Sequence, residues 1–445
     1  MNSKLSKKTM LCWPTSTLSY AVGSVLMGYV TFYATDVMGI SAVAAGMIFM
    51  ISKIFDGVTD VIAGFLIDKT HTKFGKGRPY ALALVGYWIA VVLLYSAPAM
   101  GVTASMIYLF IMYSLINAVF LTLYLCSEPV YLANALDDSS QSVTISAISG
   151  FISMIFTMVA SMILPQIVST VGTDRQGWRL MSLVVAVPFA LIGMIRFFGV
   201  KEKKKGNVSA AQNFSVKDLV MLLAKNKYIL IFAVIILISN IGSNLVNSAT
   251  TYYFIYIVGD IGLSSVMSLA MLAIVIVMII TPALSKKFGF VNVMRATTLI
   301  GMFGYLIRLL APTNLILLFV STVLAMLGFY TMFSFAGTFV IDCIDYGEWK
   351  NGVRSEGMIA CAQSVMAKIG TSLGVGLIGV LMGISGYNGA AEVQSGSASM
   401  MILMLYTVIP AAFCLIQFIM LKLYDLDKLL PTITKELAER RAQQE

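Results

Sequence analysis

Three charged residues lie inside the second long apolar run of the sequence, near residues 42–67. Lys53, Asp56 and Asp60 are separated by three and four residues, so they share one face of a helix. A charge near the centre of a bilayer costs at least about 2.5 kcal/mol unless it is paired or hydrated. Two carboxylates on one face can share a hard cation such as Na⁺, which takes oxygen ligands, or can hold a proton. The spacing therefore predicts a cation or proton site, and the alternative is an ion pair that only fixes helix packing.

A further charge, Lys368, lies inside the eleventh apolar run, twelve residues from Glu356 at the end of that run. Asp56 lies twelve residues from Asp68, so both charges lie about 18 Å deep in their helices. We expect Lys368 to pair with the carboxylates of Asp56 and Asp60 and to leave them for the solute when a cation binds. The alternative is that Lys368 binds an acidic sugar directly.

Neutral polar residues form a stripe in the seventh run. Asn240, Asn244 and Asn247 follow an i, i+4, i+7 pattern on one helix face. Amide groups donate and accept hydrogen bonds, which suits a hydroxyl-rich solute, but Asn also bonds neighbouring helices within membranes. Spacing alone leaves both interpretations open. Glu128, just before Pro129 in the fourth run, is another candidate for a buried charge.

The elements that must position these residues are membrane helices. Of the 445 residues, 59% are hydrophobic and only 11% are charged, against about 25% charged in soluble chains. A membrane-spanning helix needs about 20 apolar residues. Twelve runs of this kind lie near 14–34, 42–67, 80–98, 104–126, 143–165, 179–200, 229–257, 264–284, 293–311, 315–341, 356–382 and 398–422. The sequence predicts an all-α integral membrane protein of about twelve transmembrane helices.

Basic residues gather in alternate loops between these runs, which sets the expected orientation. They are Lys69, Lys73, Lys76 and Arg78; Lys201 and Lys203–Lys205; Lys286, Lys287 and Arg295; and Lys350 and Arg354. By the positive-inside rule these loops and both termini are cytoplasmic, in a plasma (inner) membrane. The net charge of +9 is explained by this bias, and nucleic-acid binding is not expected.

A polar stretch near 201–227 divides the twelve runs six and six. The tripeptide Lys-Phe-Gly recurs at residues 73–75 and 287–289, in equivalent loops of the two halves. Two parallel six-helix halves with a solute site between them form the major facilitator fold. We expect an N-terminal half at 1–200, a cytoplasmic linker at 201–228, a C-terminal half at 229–422 and a cytoplasmic tail at 423–445.

Other chemistries lack their residues. The five cysteines form no CxxC and His71 is the only histidine, so no metal or histidine cluster is expected. No GxxxxGK[ST] loop is present, so ATP does not drive the protein, and no nucleophile–base set indicates an enzyme. We expect no cofactor beyond a coupling ion, Na⁺ or H⁺. The partners we expect are a small solute and membrane lipid, and the sequence leaves the oligomeric state open, with a monomer possible.

Four segments give the chain a family resemblance. They are Tyr33–Gly39; Lys53–Asp60 with Phe74–Pro79; Asn240–Asn247 with Tyr252–Phe254 and Gly259–Asp260; and Asp342–Glu348 with Gly352–Arg354, Glu356–Gly357 and Lys368. In these the chain resembles the glycoside–pentoside–hexuronide:cation symporters of the major facilitator superfamily, whose best-known relatives carry melibiose and glucuronides.

The resemblance implies a cation site with Asp56 and Asp60 as principal ligands and Thr59 in a neighbouring position. It also implies that Lys368 connects the C-terminal half to that site. Residues matching a cytoplasmic gating cluster and the loop between helices 2 and 3 are Asp68, Lys76, Arg78, Asp342, Asp345, Glu348 and Arg354.

Departures from the melibiose-type pattern concern the sugar. The helix 1 Lys-Asp pair of those relatives is replaced by Ser19-Tyr20, their helix 4 Asp by Ser127 and their helix 4 Trp by Tyr131, and their helix 5 Arg has no counterpart. Glu128 is a candidate local substitute. The substrate-binding residues we predict are Tyr20, Ser127, Glu128, Tyr131, Asn240, Asn244, Asn247, Gln363 and Lys368.

These observations predict cation-coupled symport of a small sugar, glycoside or hexuronide by alternating access. The alternatives are a passive facilitator of the same fold and a symporter for a non-sugar solute. A receptor or scaffold is disfavoured because no soluble domain is appended.

Overall fold

The computed structural model describes residues 6–70, 72–136, 139–202, 226–351, 356–391 and 393–442. Within these ranges the chain forms helices joined by short turns, with one isolated β-bridge between Thr72 and Gly75. Side chains of a few helical residues, among them Asp68 and Glu356, are outside the description, as is the whole of Arg354.

Six main helices lie in the first half of the described chain. They are α1 (Pro14–Met27), α2 (Ala42–Lys69), α3 (Ala83–Tyr95), α4 (Val102–Ser114 and Thr122–Ala135), α5 (Ser139–Val171) and α6 (Arg175–Gly199). A short helix, Lys7–Cys12, precedes α1, and Val30–Phe32 and a π-helical turn, Tyr33–Val37, follow it. A second π-helical segment, Leu115–Leu121, joins the two parts of α4.

Six more belong to the second half. They are α7 (Lys227–Tyr253, continued by the π-helix Phe254–Val258), α8 (Met271–Phe288), α9 (Phe290–Ile307), α10 (Leu315–Asn351), α11 (Glu356–Ile384) and α12 (Gly396–Tyr406 and Val408–Leu423). A further helix, α13 (Leu426–Ala442), follows within the predicted tail.

Ten helical stretches of the described chain are long and apolar enough to cross a membrane. The two remaining predicted runs also form helices: α1 has 14 residues before its short continuations, and α8 has 18. The helical, multi-pass architecture predicted from the apolar runs is confirmed.

Contacts within the described chain group it into two compact units, of which the first takes segments from both predicted halves and the second lies within the predicted linker, C-terminal half and tail. The first comprises Met1–Ala210, Phe254–Ser268 and Gly376–Ser399, and the second Ala211–Tyr253, Leu269–Val375 and Met400–Glu445. The boundaries predicted at the central linker stay predictions.

Glycines let α11 approach its neighbours closely. Within the second unit, a Cβ on Gly370 would lie 2.6 Å from the Leu237 carbonyl oxygen of α7, and one on Gly374 would lie 2.7 Å from that of Ile241. Within the first unit, a Cβ on Gly46 of α2 would lie 2.9 Å from the Gly376 carbonyl oxygen. Side chains at these positions would push the helices apart.

Candidate functional site

Asp56 lies on α2 and is 8% exposed. Its Oδ1 accepts a hydrogen bond from the Thr122 hydroxyl of α4 at 2.7 Å, and its Oδ2 lies 3.5 Å from the Lys53 ammonium. A carboxylate so deep in an apolar helix needs such partners, because an unpaired charge is costly there. Asp56 therefore lies between a hydroxyl donor and the ammonium of Lys53.

The π-helical segment of α4 completes this arrangement. Lys53 Nζ donates to Asn117 Oδ1 at 3.2 Å, and the Asn117 carbonyl oxygen accepts from the Thr122 hydroxyl at 3.1 Å. A π-helical turn displaces backbone groups from the regular α-helical pattern and often marks a functional site. Our sequence reasoning did not include Asn117 or Thr122, and the available signal was only their polarity within the fourth apolar run.

Asp60 lies one turn after Asp56 on the same face of α2. The Cys126 thiol of α4 donates to Asp60 Oδ1 at 3.8 Å, one turn after Thr122. Thr59 donates its hydroxyl to the Asp56 carbonyl oxygen at 3.1 Å. Both carboxylates thus face α4, as their spacing predicts, and the face offers carboxylate and hydroxyl oxygens, the ligand type of hard cations.

Glu128 of α4 pairs with Arg196 of α6. Arg196 Nη1 lies 2.7 Å from Glu128 Oε2, and the Arg196 side chain is completely buried, whereas 29% of the Glu128 side chain is exposed. The guanidinium carbon lies 3.6 Å from the centre of the Trp13 ring and 4.6 Å from that of Tyr131. Arg196 was not among our predicted residues, because it lies near the end of the sixth run, where basic residues are ordinary.

Other residues of the predicted sugar set around α4 differ in exposure. The Tyr131 ring is buried, and its hydroxyl donates to the Val200 carbonyl oxygen at 2.7 Å. The Ser127 hydroxyl, also buried, donates to the Tyr124 carbonyl oxygen at 2.9 Å. Tyr20 of α1 is half-buried, with its ring centre 6.2 Å from that of Tyr124. Tyr131 and Ser127 thus pack locally, while Tyr20 and Glu128 keep accessible surface.

The asparagine stripe of α7 becomes more exposed along the helix. Asn240 is buried and donates to the Ile236 carbonyl oxygen at 2.8 Å. Asn244 is half-buried and donates to the Asn240 carbonyl oxygen and, at 3.3 Å, to Thr371 of α11. Asn247 is exposed and hydrogen-bonds with Tyr330 of α10. The stripe thus combines interhelical bonding with an exposed amide at Asn247.

Gln363 and Lys368 lie half-buried on α11 in the second unit. The Lys368 carbonyl oxygen accepts from the Ser372 hydroxyl at 2.7 Å. Asp56 belongs to the first unit, and its pairing with Lys368 stays a prediction.

The loop between α2 and α3 is anchored by an acidic residue absent from our predicted set. The Glu202 carboxylate accepts from the backbone N–H groups of Lys76, Gly77 and Arg78 at 2.9, 2.8 and 2.6 Å. Arg78 is buried and donates from Nε to the Phe197 carbonyl oxygen at 2.8 Å. Three N–H groups converging on one carboxylate form an anion-binding nest. Lys76 and Arg78 are thereby fixed beside the end of α6.

Three acidic residues predicted for the cytoplasmic gating cluster, Asp342, Asp345 and Glu348, lie near the end of α10. Asp342 is 7% exposed, and its Oδ2 has no hydrogen-bond partner among the described residues, whereas Asp345 and Glu348 are half-buried and engaged with neighbours. The neighbouring Trp349 donates from its indole N–H to Glu436 of α13 at 2.6 Å. Asp68 and Arg354, predicted for the same cluster, lie outside the described side chains.

At the end of the helices away from the predicted cytoplasmic loops, the Asp36 carboxylate accepts hydrogen bonds from several hydroxyl groups. Tyr387 OH donates to Asp36 Oδ1 at 2.8 Å, and Tyr256 and Thr35 also donate to the same carboxylate. Tyr256 follows α7 and Tyr387 follows α11, and all belong to the first unit. A cavity of about 540 Å³ beside them is lined by Phe32, Asp36, Tyr256 and Asp260, among others.

The sequence matches the MFS/sugar transport protein family over residues 17–428. The chain belongs to this family. Its members are membrane transporters of the major facilitator superfamily, so the family confirms the predicted fold and shows a transporter rather than an enzyme.

Relatives of known name match most of the chain. The isoprimeverose transporter of Lactiplantibacillus pentosus is 29% identical over 437 residues, covering 95% of this chain and 89% of the relative. The putative glycoside/cation symporter YagG of Escherichia coli is 25% identical over 444 residues, covering 96% and 95%. The glucuronide carrier protein homolog of the same organism is 25% identical over 466 residues, covering 100% and 98%.

Solved structures of other transporters share the fold of this chain at low sequence identity. The nucleoside transporter NupG aligns with a TM-score of 0.62 at 15% identity, covering 93% of this chain and 99% of that one. A bacterial homologue of the human lysosomal transporter Spinster aligns with a TM-score of 0.67 at 13% identity, covering 94% and 98%. At such identity the likeness concerns the fold alone.

Proposed function

We propose that this transporter couples the uptake of a small glycoside to the entry of Na⁺ or H⁺ across a plasma membrane, with both termini in the cytoplasm. The observation that carries the proposal is the pair Asp56 and Asp60 on one face of α2, held against α4 by Thr122 and Cys126. Relatives named as a glycoside/cation symporter and an isoprimeverose transporter support the solute class.

In this proposal the coupling ion binds the two carboxylates and Thr59, and competes with Lys53 for Asp56. Lys368 of α11 is proposed to pair with the two carboxylates when no ion is bound and to move to the solute when the ion binds. Because binding free energies are reciprocal, an ion that strengthens sugar binding is itself bound more tightly when sugar is present. That mutual effect is what symport requires.

Alternating access requires that the outer end of the helices open and close. We propose that the contacts of Asp36 with Tyr256 and Tyr387 stabilise the closed outer end and break when it opens. Family transporters are built to move in this way around a fixed site.

A passive facilitator is the second candidate, favoured by the Lys53–Asp56 ion pair. A resident ammonium 3.5 Å from Asp56 already neutralises that carboxylate, so a facilitator would keep the pair without binding a cation. The two candidates differ in accumulation against a gradient.

The deciding experiment uses the purified protein in proteoliposomes. Uptake of radiolabelled isoprimeverose and other glycosides is followed with an imposed Na⁺ gradient, with an imposed pH gradient and with neither. Symport predicts accumulation above the external concentration with one of the gradients. Equilibration to the external concentration under all three conditions would establish the facilitator instead.

A further inference from the structure

The guanidinium of Arg196 is held rigidly by its surroundings. It is completely buried, with the Trp13 ring 3.6 Å and the Tyr131 ring 4.6 Å from its central carbon. Its Nε and Nη2 have no hydrogen-bond partner among the described residues, so its hydrogen bonding is directed to Glu128 through Nη1. A cation against aromatic faces is stabilised in place.

Glu128 is fixed by this bond but remains accessible. Arg196 occupies one of the roughly four lone-pair positions of the carboxylate, and 29% of the Glu128 side chain is exposed. Because the guanidinium is buried and the carboxylate is not, a solute approaching this place meets negative charge. Glu128 can therefore accept hydrogen bonds from hydroxyl groups.

A tyrosine ring that is itself buried lies near Glu128. Tyr124 precedes it by one helical turn, on the same face of α4, and the half-buried Tyr20 of α1 lies 6.2 Å from Tyr124 between ring centres. Cys126 precedes Glu128 by two residues, about 200° around the helix, and contacts Asp60. One helix thus contacts the two carboxylates of α2 on one face and carries the partly exposed carboxylate of Glu128 on another.

We propose that Glu128 accepts the hydroxyl groups of a neutral glycoside and rejects hexuronides, and that Arg196 is the residue that positions it. This rests on the proposed sugar transport and narrows its substrate class. A carboxylate binds a hydroxyl by a charge-assisted hydrogen bond, whereas the carboxylate of a hexuronide meets a like charge. The buried guanidinium offsets this repulsion only in part, because it lies behind Glu128.

The test compares neutral glycosides with their glucuronides in the proteoliposome assay, using isoprimeverose and the methyl and p-nitrophenyl derivatives of glucose and glucuronic acid. The wild-type protein should take up neutral members and discriminate against the glucuronides. Glu128→Gln should bind neutral members about 10- to 100-fold more weakly, the effect of losing a hydrogen bond to a charged group. The same variant should lower the ratio of neutral-glycoside uptake to glucuronide uptake.

Arg196 is tested through its dependence on Glu128. Arg196→Gln should lower the ratio of neutral-glycoside uptake to glucuronide uptake, and Arg196→Lys should restore part of that ratio. In the Glu128→Gln background, Arg196→Gln should leave the ratio unchanged. A purely structural role would lower all uptake without changing the ratio. Should Arg196→Gln fail to fold, Glu128→Gln alone decides.

Outcomes separate this proposal from the one on which it rests. Equal uptake of glucuronides by the wild-type protein, or an unchanged ratio in Glu128→Gln, overturns the neutral-glycoside proposal while gradient-driven sugar uptake stands. If the wild-type protein takes up no member of the panel, both proposals fail.

Discussion

At the scale of residues, the proposed mechanism assigns coupling to single carboxylates. Asp56→Asn and Asp60→Asn each remove the charge of a proposed cation ligand while nearly preserving its shape. We expect both variants to lose gradient-driven accumulation of sugar, and exchange of sugar across the membrane can persist because it needs no net ion movement. The exposed Asp425→Asn is the matched control and should accumulate sugar normally. Accumulation at the wild-type rate in both α2 variants would contradict the cation site.

The ion pair on α2 gives a second prediction, concerning stability. Asp56→Asn leaves the ammonium of Lys53 buried without its counter-ion, and breaking a buried pair in this way costs about 3–5 kcal/mol. We expect the Tm of this variant to fall and the Lys53→Gln/Asp56→Asn double variant to recover much of the loss. Thermal unfolding in detergent measures both. A double variant no more stable than Asp56→Asn would show that Lys53 has another anionic partner.

Residue types were predictable to different degrees from the sequence. Asp56 and Asp60 stood out because charge inside an apolar run is rare, and the structure places both against α4. Thr122 and Asn117 did not, because neutral polar residues are common in membrane helices and their role depends on a π-helical turn. Arg196 lies where the positive-inside rule already explains a basic residue. The sequence therefore did not indicate that its side chain is buried against two aromatic rings.

Whole helices were more predictable, because a run of apolar residues long enough to cross a membrane satisfies its backbone only as a helix. The close approach of α11 to α7 depends on two small residues four positions apart, Gly370 and Gly374. The π-helical segments were not foreseen, since they arise from side-chain contacts between helices rather than from local propensity.

The α7 helix separates packing from binding along its asparagine stripe. Asn247 is exposed, whereas the Asn240 amide is buried against its own helix. We expect Asn247→Ala to weaken sugar binding about 2- to 12-fold, the effect of one net hydrogen bond, with cation binding unchanged. Asn240→Ala should instead lower the Tm. Unchanged sugar affinity in a well-folded Asn247→Ala would assign the stripe to packing alone.

At the scale of the whole molecule, the chain segments that follow α1, α7 and α11 meet at one carboxylate. Asp36 follows α1, and the hydroxyls that it accepts come from Tyr256, after α7, and Tyr387, after α11. The close approach is also steric, since a Cβ on Gly389 would lie 2.6 Å from the Thr35 carbonyl oxygen. In the proposed transport cycle, opening this end for a solute would break these contacts together, so we expect them to set the balance between closed and open forms.

Asp36→Asn should shift that balance toward the open form. An amide accepts more weakly than a carboxylate, and hydrogen bonds to a charged group are worth about 1.5–3 kcal/mol, so the open fraction should rise about ten-fold or more. A cysteine placed at Val168, which lines the neighbouring cavity and is 1% exposed, reports opening through its reaction with a membrane-impermeant maleimide. Tyr387→Phe should also accelerate this labelling, because it removes one hydrogen-bond donor to Asp36 and leaves the charge of Asp36 in place. If labelling is equally fast in all three backgrounds, the Asp36 contacts do not hold the outer end closed.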